Sequence, residues 1–358
     1  MTAPRLTLLL TSPRVAPGLL TRDAWRALEE AAEIWAVRGE PQAAAVEQAG
    51  LRVTWRPQEE PGALARALLA AVPRQAAHPS RSAGTAAVWV GSSDGDPGLN
   101  EAVAAEVTRL EDPPDVEVLI GSHDVPGSRL LDVVAVMDRL RSPGGCPWDA
   151  QQTHESLLPY LLEEAHEAVE AIESEDPVHV QEELGDLLLQ VAFHARVAEE
   201  DPVRPFGIDD VAAGLVDKLV RRHPHVFADV EAATAAAVEA NWETIKADEK
   251  QHRRSPLDGV PASLPALARA AKLVSRLERA GRADLLDEVA LDGQVPPLGR
   301  ELLALVRRAR SAGVDAEGAL RHTLRRLVEL SAPATTTEDA PGGARPSRPG
   351  HTGGAAGP

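Results

Sequence analysis

Short apolar runs alternate with polar loops over the first third of the chain. The runs RLTLLL (5–10), AAVWVG (86–91) and the segment 115–120 predict short buried strands. Between them, TRDAWRALEEAAEIWA (21–36) predicts a helix with Thr21 as its N-cap, and residues 99–110 predict another. The pattern therefore predicts a small α/β region that ends near residue 127.

From residue 130 to 250 the apolar residues recur at helical spacing, which predicts a helical bundle. Residues 255–270 read as a linker into further helices at about 266–280 and 298–330. Beyond residue 330 the chain is rich in Pro, Gly and small polar residues, and we expect 331–358 to be a disordered tail. The predicted fold class is mainly α: an all-α helical bundle core preceded by a small α/β region.

Net charge, cysteine content and the length of the apolar runs indicate which partners and which compartment to expect. The formal net charge of -18 over 358 residues opposes attraction to phosphate backbones, so we expect no nucleic-acid partner. A single cysteine, Cys146, excludes an internal disulfide and fits a reducing compartment. No signal peptide and no apolar run long enough to span a bilayer is recognised, so we expect a cytoplasmic protein without a membrane partner.

The stretch EEAHEAVEAIESEDPVHVQEELGD (163–186) concentrates negative charge. It holds ten Asp or Glu residues and no Lys or Arg, although apolar residues recur through it at helical spacing. On the first helix the apolar face is Leu157, Leu158, Leu161, Leu162, Ala165, Ala168, Val169 and Ile172, and on the second it is Leu184, Leu187, Leu188, Val191 and Ala195. Asp176 as N-cap and Pro177 at the next position predict a short connection and two antiparallel helices.

Two pairs of acids border these faces. Glu164 and Glu167 are three residues apart on the first helix, and Glu183 and Asp186 are three apart on the second. Four converging carboxylates repel one another unless a cation neutralises them, and oxygen ligands suit Mg²⁺ or Mn²⁺. The spacing alone also fits solvated surface helices.

The same stretch also contains part of a second kind of metal-site spacing. The spacing Glu163-x-x-His166 is that of di-iron carboxylate bundles, which need a second such pair and further glutamates. The second helix offers Glu183-x-x-Asp186 instead, so a hard-ion site fits better.

The acids also carry a family resemblance. Glu163-Glu164-x-x-Glu167, 15 further residues and Glu183-x-x-Asp186 resemble the EExxE and ExxD signature of the MazG nucleoside triphosphate pyrophosphohydrolases. The segments similar to family segments, in the same order, are GGCPWDAQQTHESLLPYLLEE (144–164), EELGDLLLQVAFHARVAEE (182–200), DKLVRRHPHVF (217–227) and NWETIKADEK (241–250). The resemblance covers residues 130–250 and implies a MazG-type bundle there.

The resemblance implies an activity and a set of ligands. Glu164, Glu167, Glu183 and Asp186 would hold Mg²⁺, with Mn²⁺ as a possible substitute, and Glu163 would be an accessory or water-orienting carboxylate. The implied reaction is hydrolysis of nucleoside triphosphates to monophosphate and pyrophosphate, as house-cleaning of non-standard or excess nucleotides. Two alternatives remain: a regulatory or binding module without turnover, and a pyrophosphohydrolase for one dedicated phosphoribosyl nucleotide.

The same resemblance implies nucleotide contacts and an assembly. Positions matching Lys218, Arg222, Trp242 and Lys246 contact nucleotide in the family, and family members form dimers or larger homo-oligomers. CPWD (146–149) predicts a turn, with Trp148 packing against the bundle favoured over lining a base pocket.

The flanking regions resemble altered relatives of known domains. Residues 1–127 faintly resemble the tetrapyrrole methylase domain that precedes MazG in some family members, through LLTRDAWRALEEAAEIWA (19–36) and GDPGL (95–99). The loop TSPRVAPG (11–18) lacks the family's glycines, which predicts a remnant without methyltransferase activity. Within 255–330, residues 296–330 resemble a second MazG repeat in which Pro297 and Arg300 replace Glu183 and Asp186, so we expect that repeat to be inactive.

Overall fold

The structure is a computed structural model that describes residues 3–74, 85–92, 95–228 and 255–331, with 234, 237–238, 241–242 and 245 between the last two ranges. It forms two compact units, Met1–Val220 and Arg221–Pro358, and each is described by itself. Of the predicted tail, only Ser331 is among the described residues. No described helix is both long enough and apolar enough to cross a membrane.

The first unit begins with a five-stranded parallel sheet. Its strands are β1 (Arg5–Leu10), β2 (Glu33–Val37), β3 (Thr54–Arg56), β4 (Ala86–Val90) and β5 (Asp115–Ile120), in the order β3-β2-β4-β1-β5. Four helices connect them: α1 (Arg22–Glu30), α2 (Pro41–Gln48), α3 (Pro61–Ala71) and α4 (Leu99–Val107). The predicted strands 5–10 and 115–120 match β1 and β5, and the predicted strand 86–91 ends one residue earlier as β4.

Helices cover both faces of this sheet, and its inner strands β2 and β4 are apolar at nearly every position. On one face, Leu6 and Trp89 pack with Leu68 of α3 and Val103 of α4. On the other face, the packed residues are Leu9, Ile34, Val88 and Val90 of the strands with Leu28 of α1 and Val46 of α2. The region is therefore a three-layer α/β/α arrangement.

The predicted helix 21–36 is wrong over its second half. Thr21 is the N-cap, and its side chain accepts a hydrogen bond from Ala24 N at 3.3 Å, but α1 ends at Glu30. The segment EIWAV forms β2 in the interior of the sheet, where Ile34 and Trp35 are each 4% exposed. A strand buried on both faces is a continuous apolar run, which periodicity cannot distinguish from a buried helical segment.

The first unit continues with helices. They are α5 (Arg129–Arg141), α6 (Pro147–Gln151), α7 (His154–Ser174), α8 (Pro177–Ala198) and α9 (Ile208–Arg222). The predicted turn CPWD is corrected to the short helix α6, which Pro147 begins because proline is well tolerated at the first helical position. Met137 of α5, Leu157 of α7 and Phe193 of α8 form a common apolar cluster.

The helices α7 and α8 are joined by Glu175 and Asp176 alone, so they run antiparallel. Asp176 is the predicted N-cap and accepts a hydrogen bond from Val178 N at 2.9 Å, and Pro177 is the first helical residue. The predicted apolar faces are only partly covered. Leu157, Ala168 and Ala195 are buried, whereas Leu158, Leu162, Ile172, Leu184 and Val191 are exposed.

The second unit is helical in its described part. Its helices are α10 (Pro224–Phe227), α11 (Ala266–Arg279), α12 (Asp284–Leu291), α13 (Pro297–Ser311) and α14 (Ala316–Ser331). The predicted helix 298–330 is two helices, because the chain turns between them at Gly313, where φ is +70°. Pro297 is the first residue of α13, and Arg300 lies with its Nη1 3.4 Å from the carbonyl oxygen of Ala290.

One ion-pair network joins the sheet to the helices of the first unit. Arg14, in the loop after β1, contacts Asp124 at 2.7 Å and Asp132 of α5 at 2.6 Å, and its side chain is 12% exposed. Ser12 Oγ donates to Asp124. The hydrogen bond from Ser12, together with Arg14, lowers the pKa of Asp124, and the hydrogen bond from Arg14 lowers the pKa of Asp132.

We predict that replacing Arg14 by Met lowers the unfolding temperature at pH 7. The two carboxylates have lowered pKa values in the folded state, so their pairing stabilises the fold above about pH 3.9 and is lost as pH falls below it. The difference from the wild type should therefore shrink in acid. Circular dichroism during heating measures it, with Arg22→Met, at an exposed position of α1, as control. An equal effect of both substitutions at pH 7 would contradict the network's role.

Candidate metal centre

The antiparallel pair α7 and α8 brings acidic side chains together. Glu164 and Glu167 lie one helical turn apart on α7, and Glu183 lies in the second turn of α8. One carboxylate oxygen from each of these three residues lies within 4.8 Å of the other two. The structure thus groups three of the four residues predicted to hold a cation.

Asp186 and Glu163 affect this group to different degrees. Burial raises the pKa of Glu164, and the charges of Asp186, Glu167, Glu183 and Glu163 raise it further, in that order. Among the carboxylates, Asp186 therefore raises the pKa of Glu164 most, although its oxygens are not within the 4.8 Å group. Glu163 is exposed and has the smallest influence, in keeping with a peripheral position.

Glu183 is the most buried member, with 7% of its surface exposed. Its Oε1 lies 3.1 Å from Nε2 of His179, one turn earlier on α8. Its Oε2 is buried and has no hydrogen-bond partner among the described residues. A buried carboxylate oxygen without a donor is costly, so the arrangement fits a cation that the oxygen can ligate.

The donor set suits a hard divalent ion. All the grouped atoms are carboxylate oxygens, the ligands that Mg²⁺ and Mn²⁺ prefer. Among the described residues this is the only group of three or more closely spaced His, Cys, Asp or Glu ligand atoms, and it contains no histidine. A second Glu-x-x-His pair, which a di-iron site needs, is not part of it.

Sequence reasoning did not single out His179. Its Nε2 contacts one oxygen of Glu183, while the other oxygen has no hydrogen-bond partner among the described residues. Residues in such an outer position commonly orient a metal-binding carboxylate. The spacing of four residues between His179 and Glu183 was the available signal, since it places both side chains on one helical face.

The predicted nucleotide contacts fall in different parts of the chain. Lys218 is exposed on α9 in the first unit. In the second unit, the guanidinium carbon of Arg222 lies 5.6 Å from the ring centroid of Trp242, a cation–π distance. Lys246 lies outside the described residues, so its role stays a prediction.

The chain is similar in sequence to known proteins. Residues 152–227 match the family model of the MazG nucleotide pyrophosphohydrolase domain, a range that includes all five predicted acids, Lys218 and Arg222. The chain is 52% identical over 233 residues to an uncharacterized 26.1 kDa protein of Streptomyces cacaoi, covering 65% of this chain and 93% of that protein.

Two further relatives carry functional names. A nucleoside triphosphate pyrophosphohydrolase of Escherichia coli is 43% identical over 51% of this chain and 68% of its own length. The nucleoside triphosphate pyrophosphohydrolase/pyrophosphatase MazG of Thermotoga maritima is 38% identical over 55% of this chain and 82% of its own length. The chain belongs to the MazG family. The carboxylate cluster accordingly lies in the segment that defines membership of the MazG family.

We predict that Glu164→Gln raises the unfolding temperature in a chelator at pH 7 to 8. Burial and neighbouring charges raise the pKa of Glu164, so its ionised form destabilises the fold above that pKa. The gain should vanish as pH falls toward about 4.3, the ordinary pKa of a glutamate, because the wild-type residue is then protonated.

Added Mg²⁺ should reverse the order of stability, since the variant lacks one ligand charge. Calorimetric unfolding with and without Mg²⁺ measures both effects. The matched control is Glu170→Gln, at an exposed position on the same helix. If the two variants behave alike in chelator, the carboxylates of the cluster do not repel one another as described.

Proposed function

We propose that the chain hydrolyses nucleoside triphosphates and deoxynucleoside triphosphates to the monophosphate and pyrophosphate, and that the reaction depends on Mg²⁺. The observation that carries the proposal is the convergence of Glu164, Glu167 and Glu183 within 4.8 Å, inside the segment that matches the MazG domain. The names of the relatives support the reaction class. We assign a role in removing non-standard or excess nucleotides.

The five acids have two roles in this proposal. Glu164, Glu167, Glu183 and Asp186 hold the cation, which when bound supplies charge neutralisation for the triphosphate and an acidified water. Exposed Glu163 accepts a proton as water oxygen bonds to phosphorus. The phosphoanhydride bond breaks, and pyrophosphate and the nucleoside monophosphate separate.

Basic side chains of the protein are available to bind the phosphates of the nucleotide. Lys218 and Arg222 lie four residues apart on α9, a spacing that presents both to one side of the helix. We assign them, with Trp242 and Lys246, to binding the nucleotide. Charge-assisted hydrogen bonds from Lys and Arg are the usual partners of phosphate oxygens.

The activity is tested by incubating the pure protein with Mg²⁺ and a panel of nucleotides. We expect pyrophosphate rather than orthophosphate, and a loss of at least about 100-fold in Glu167→Ala, because even outer-shell changes at metal sites cost about 10- to 100-fold. Exposed Glu170→Ala, on the same helix, is the matched control and should keep its activity.

Two outcomes of this panel favour the alternative functions. Nucleotide binding without any turnover, in the wild type as in Glu167→Ala, indicates a regulatory module. Turnover of a phosphoribosyl nucleotide alone, added to the panel, indicates a dedicated metabolic pyrophosphohydrolase. Water labelled with oxygen-18 identifies the phosphorus that is attacked, since the label enters only the product formed at that atom.

We also propose that the chain forms a homodimer or a higher homo-oligomer. Leu158, Leu162 and Ile172 form an exposed apolar stripe on α7, and Leu184 and Val191 are exposed on α8. Clustered exposed apolar side chains mark interaction sites.

We predict that Ile172→Glu shifts the protein toward the monomer, because the substitution places a charge within the stripe, where Ile172 is 57% exposed. Light scattering after size-exclusion chromatography measures the mass. Glu170→Ala, at an exposed polar position two residues away, should leave the assembly intact. A wild-type protein that is monomeric at high concentration contradicts the assembly.

A further inference from the structure

Polar side chains follow one face of α8 away from the carboxylate cluster. His179, Glu183, Gln190 and His194 are spaced by four, seven and four residues, which places them on one side of the helix. Three of them carry a buried polar atom without a hydrogen-bond partner among the described residues: Glu183 Oε2, Gln190 Oε1 and His194 Nε2. Buried polar atoms normally have hydrogen-bond partners, so a bound ligand or ion could supply the partners that these three atoms lack.

Gln190 is the first of these residues beyond the proposed metal centre, which does not explain its unpaired oxygen. It is 4% exposed, and its amide offers one acceptor and two donors. Seven residues separate it from Glu183, which corresponds to about 10 Å along the helix axis. A nucleotide whose phosphates lie at Glu183 extends its ribose and base over a comparable distance.

Aromatic rings lie on the same side of the cluster. Because α7 and α8 are antiparallel, the part of α7 before Glu164 lies beside the part of α8 after Glu183. Trp148 of α6 meets Tyr160 of α7 edge to face, with ring centroids 6.0 Å apart, and Phe193 of α8 at 6.3 Å. Trp148 is 50% exposed, so part of its ring remains open to a ligand.

We propose that Gln190 is a specificity-determining residue that hydrogen-bonds the nucleobase of the substrate, next to the aromatic surface of Trp148 and Tyr160. The inference rests on the proposed nucleotide hydrolysis and adds which residue distinguishes the bases. A primary amide presents a donor beside an acceptor, which matches the paired donor and acceptor on the edge of a nucleobase. Stacking on aromatic rings binds any base, whereas the amide selects among them.

The test compares Gln190→Leu with the wild type on triphosphates of adenosine, guanosine, cytidine, uridine and inosine. We expect the wild type to prefer one base, and the variant to lose about 10- to 100-fold in kcat/KM on that base, the cost of about one to three kcal/mol for an unmade hydrogen bond. Hydrolysis of inorganic tripolyphosphate, which has no base, should change little. Gln181→Leu, the same change at an exposed position of α8, should keep the preference.

A purely structural role gives the opposite result. Removing an unpaired buried amide is then neutral or stabilising, and the ratios of kcat/KM between bases stay as in the wild type. That result, or a wild type without base preference, overturns the proposal. Thermal unfolding confirms that the variant is folded, and Gln190→Met, which keeps the unbranched shape, replaces it if Leu disrupts packing.

Failure of the proposed function is recognised separately. If the wild type hydrolyses none of the nucleotides, calorimetric titration with the five nucleoside monophosphates in Mg²⁺ still measures base preference. A preference that Gln190→Leu abolishes supports the role of Gln190 without turnover, and equal affinities in both proteins overturn it.

Discussion

Repulsion among clustered carboxylates is the constraint around which the helical part of the first unit is organised. Glu164, Glu167 and Glu183 approach within 4.8 Å, and burial together with neighbouring charge raises the pKa of Glu164. The stretch 163–186 contains no Lys or Arg that would neutralise them. The helix pair must therefore be held together by interactions outside the cluster, and the proposed divalent cation would balance its charge.

Those interactions come from the open end of the pair, opposite the turn at Glu175 and Asp176. Met137 and Phe193 pack α5 against α8. Arg141, at the end of α5, has a side chain only 4% exposed and binds Glu200 at 2.7 Å. The same guanidinium donates to the carbonyl oxygen of Gln152, just before α7, at 3.1 Å. One buried arginine thus ties α5 to the chain just before α7 and just after α8, with the partners that a buried charge requires.

Local patterns predicted much of this architecture, and long-range contacts account for what was missed. The 3.6-residue period located α7 and α8, and Asp176 with Pro177 located the turn between them, because caps act through neighbouring residues. The strand β2 was assigned to a helix because its burial depends on strands distant in sequence. The residue spacing predicted which acids share a face, whereas the unpaired amide of Gln190 depends on packing between helices, which spacing does not contain.

The two-residue connection between α7 and α8 bears on how the protein folds. All the grouped carboxylates lie on one helical hairpin, so the cluster is assembled from contacts close in sequence. The sheet instead pairs β1 with β5 through residues more than 100 positions apart, such as Thr7 and Glu117. Local contacts form faster than distant ones because they close shorter loops. We therefore expect the hairpin that carries the carboxylate cluster to form before the sheet.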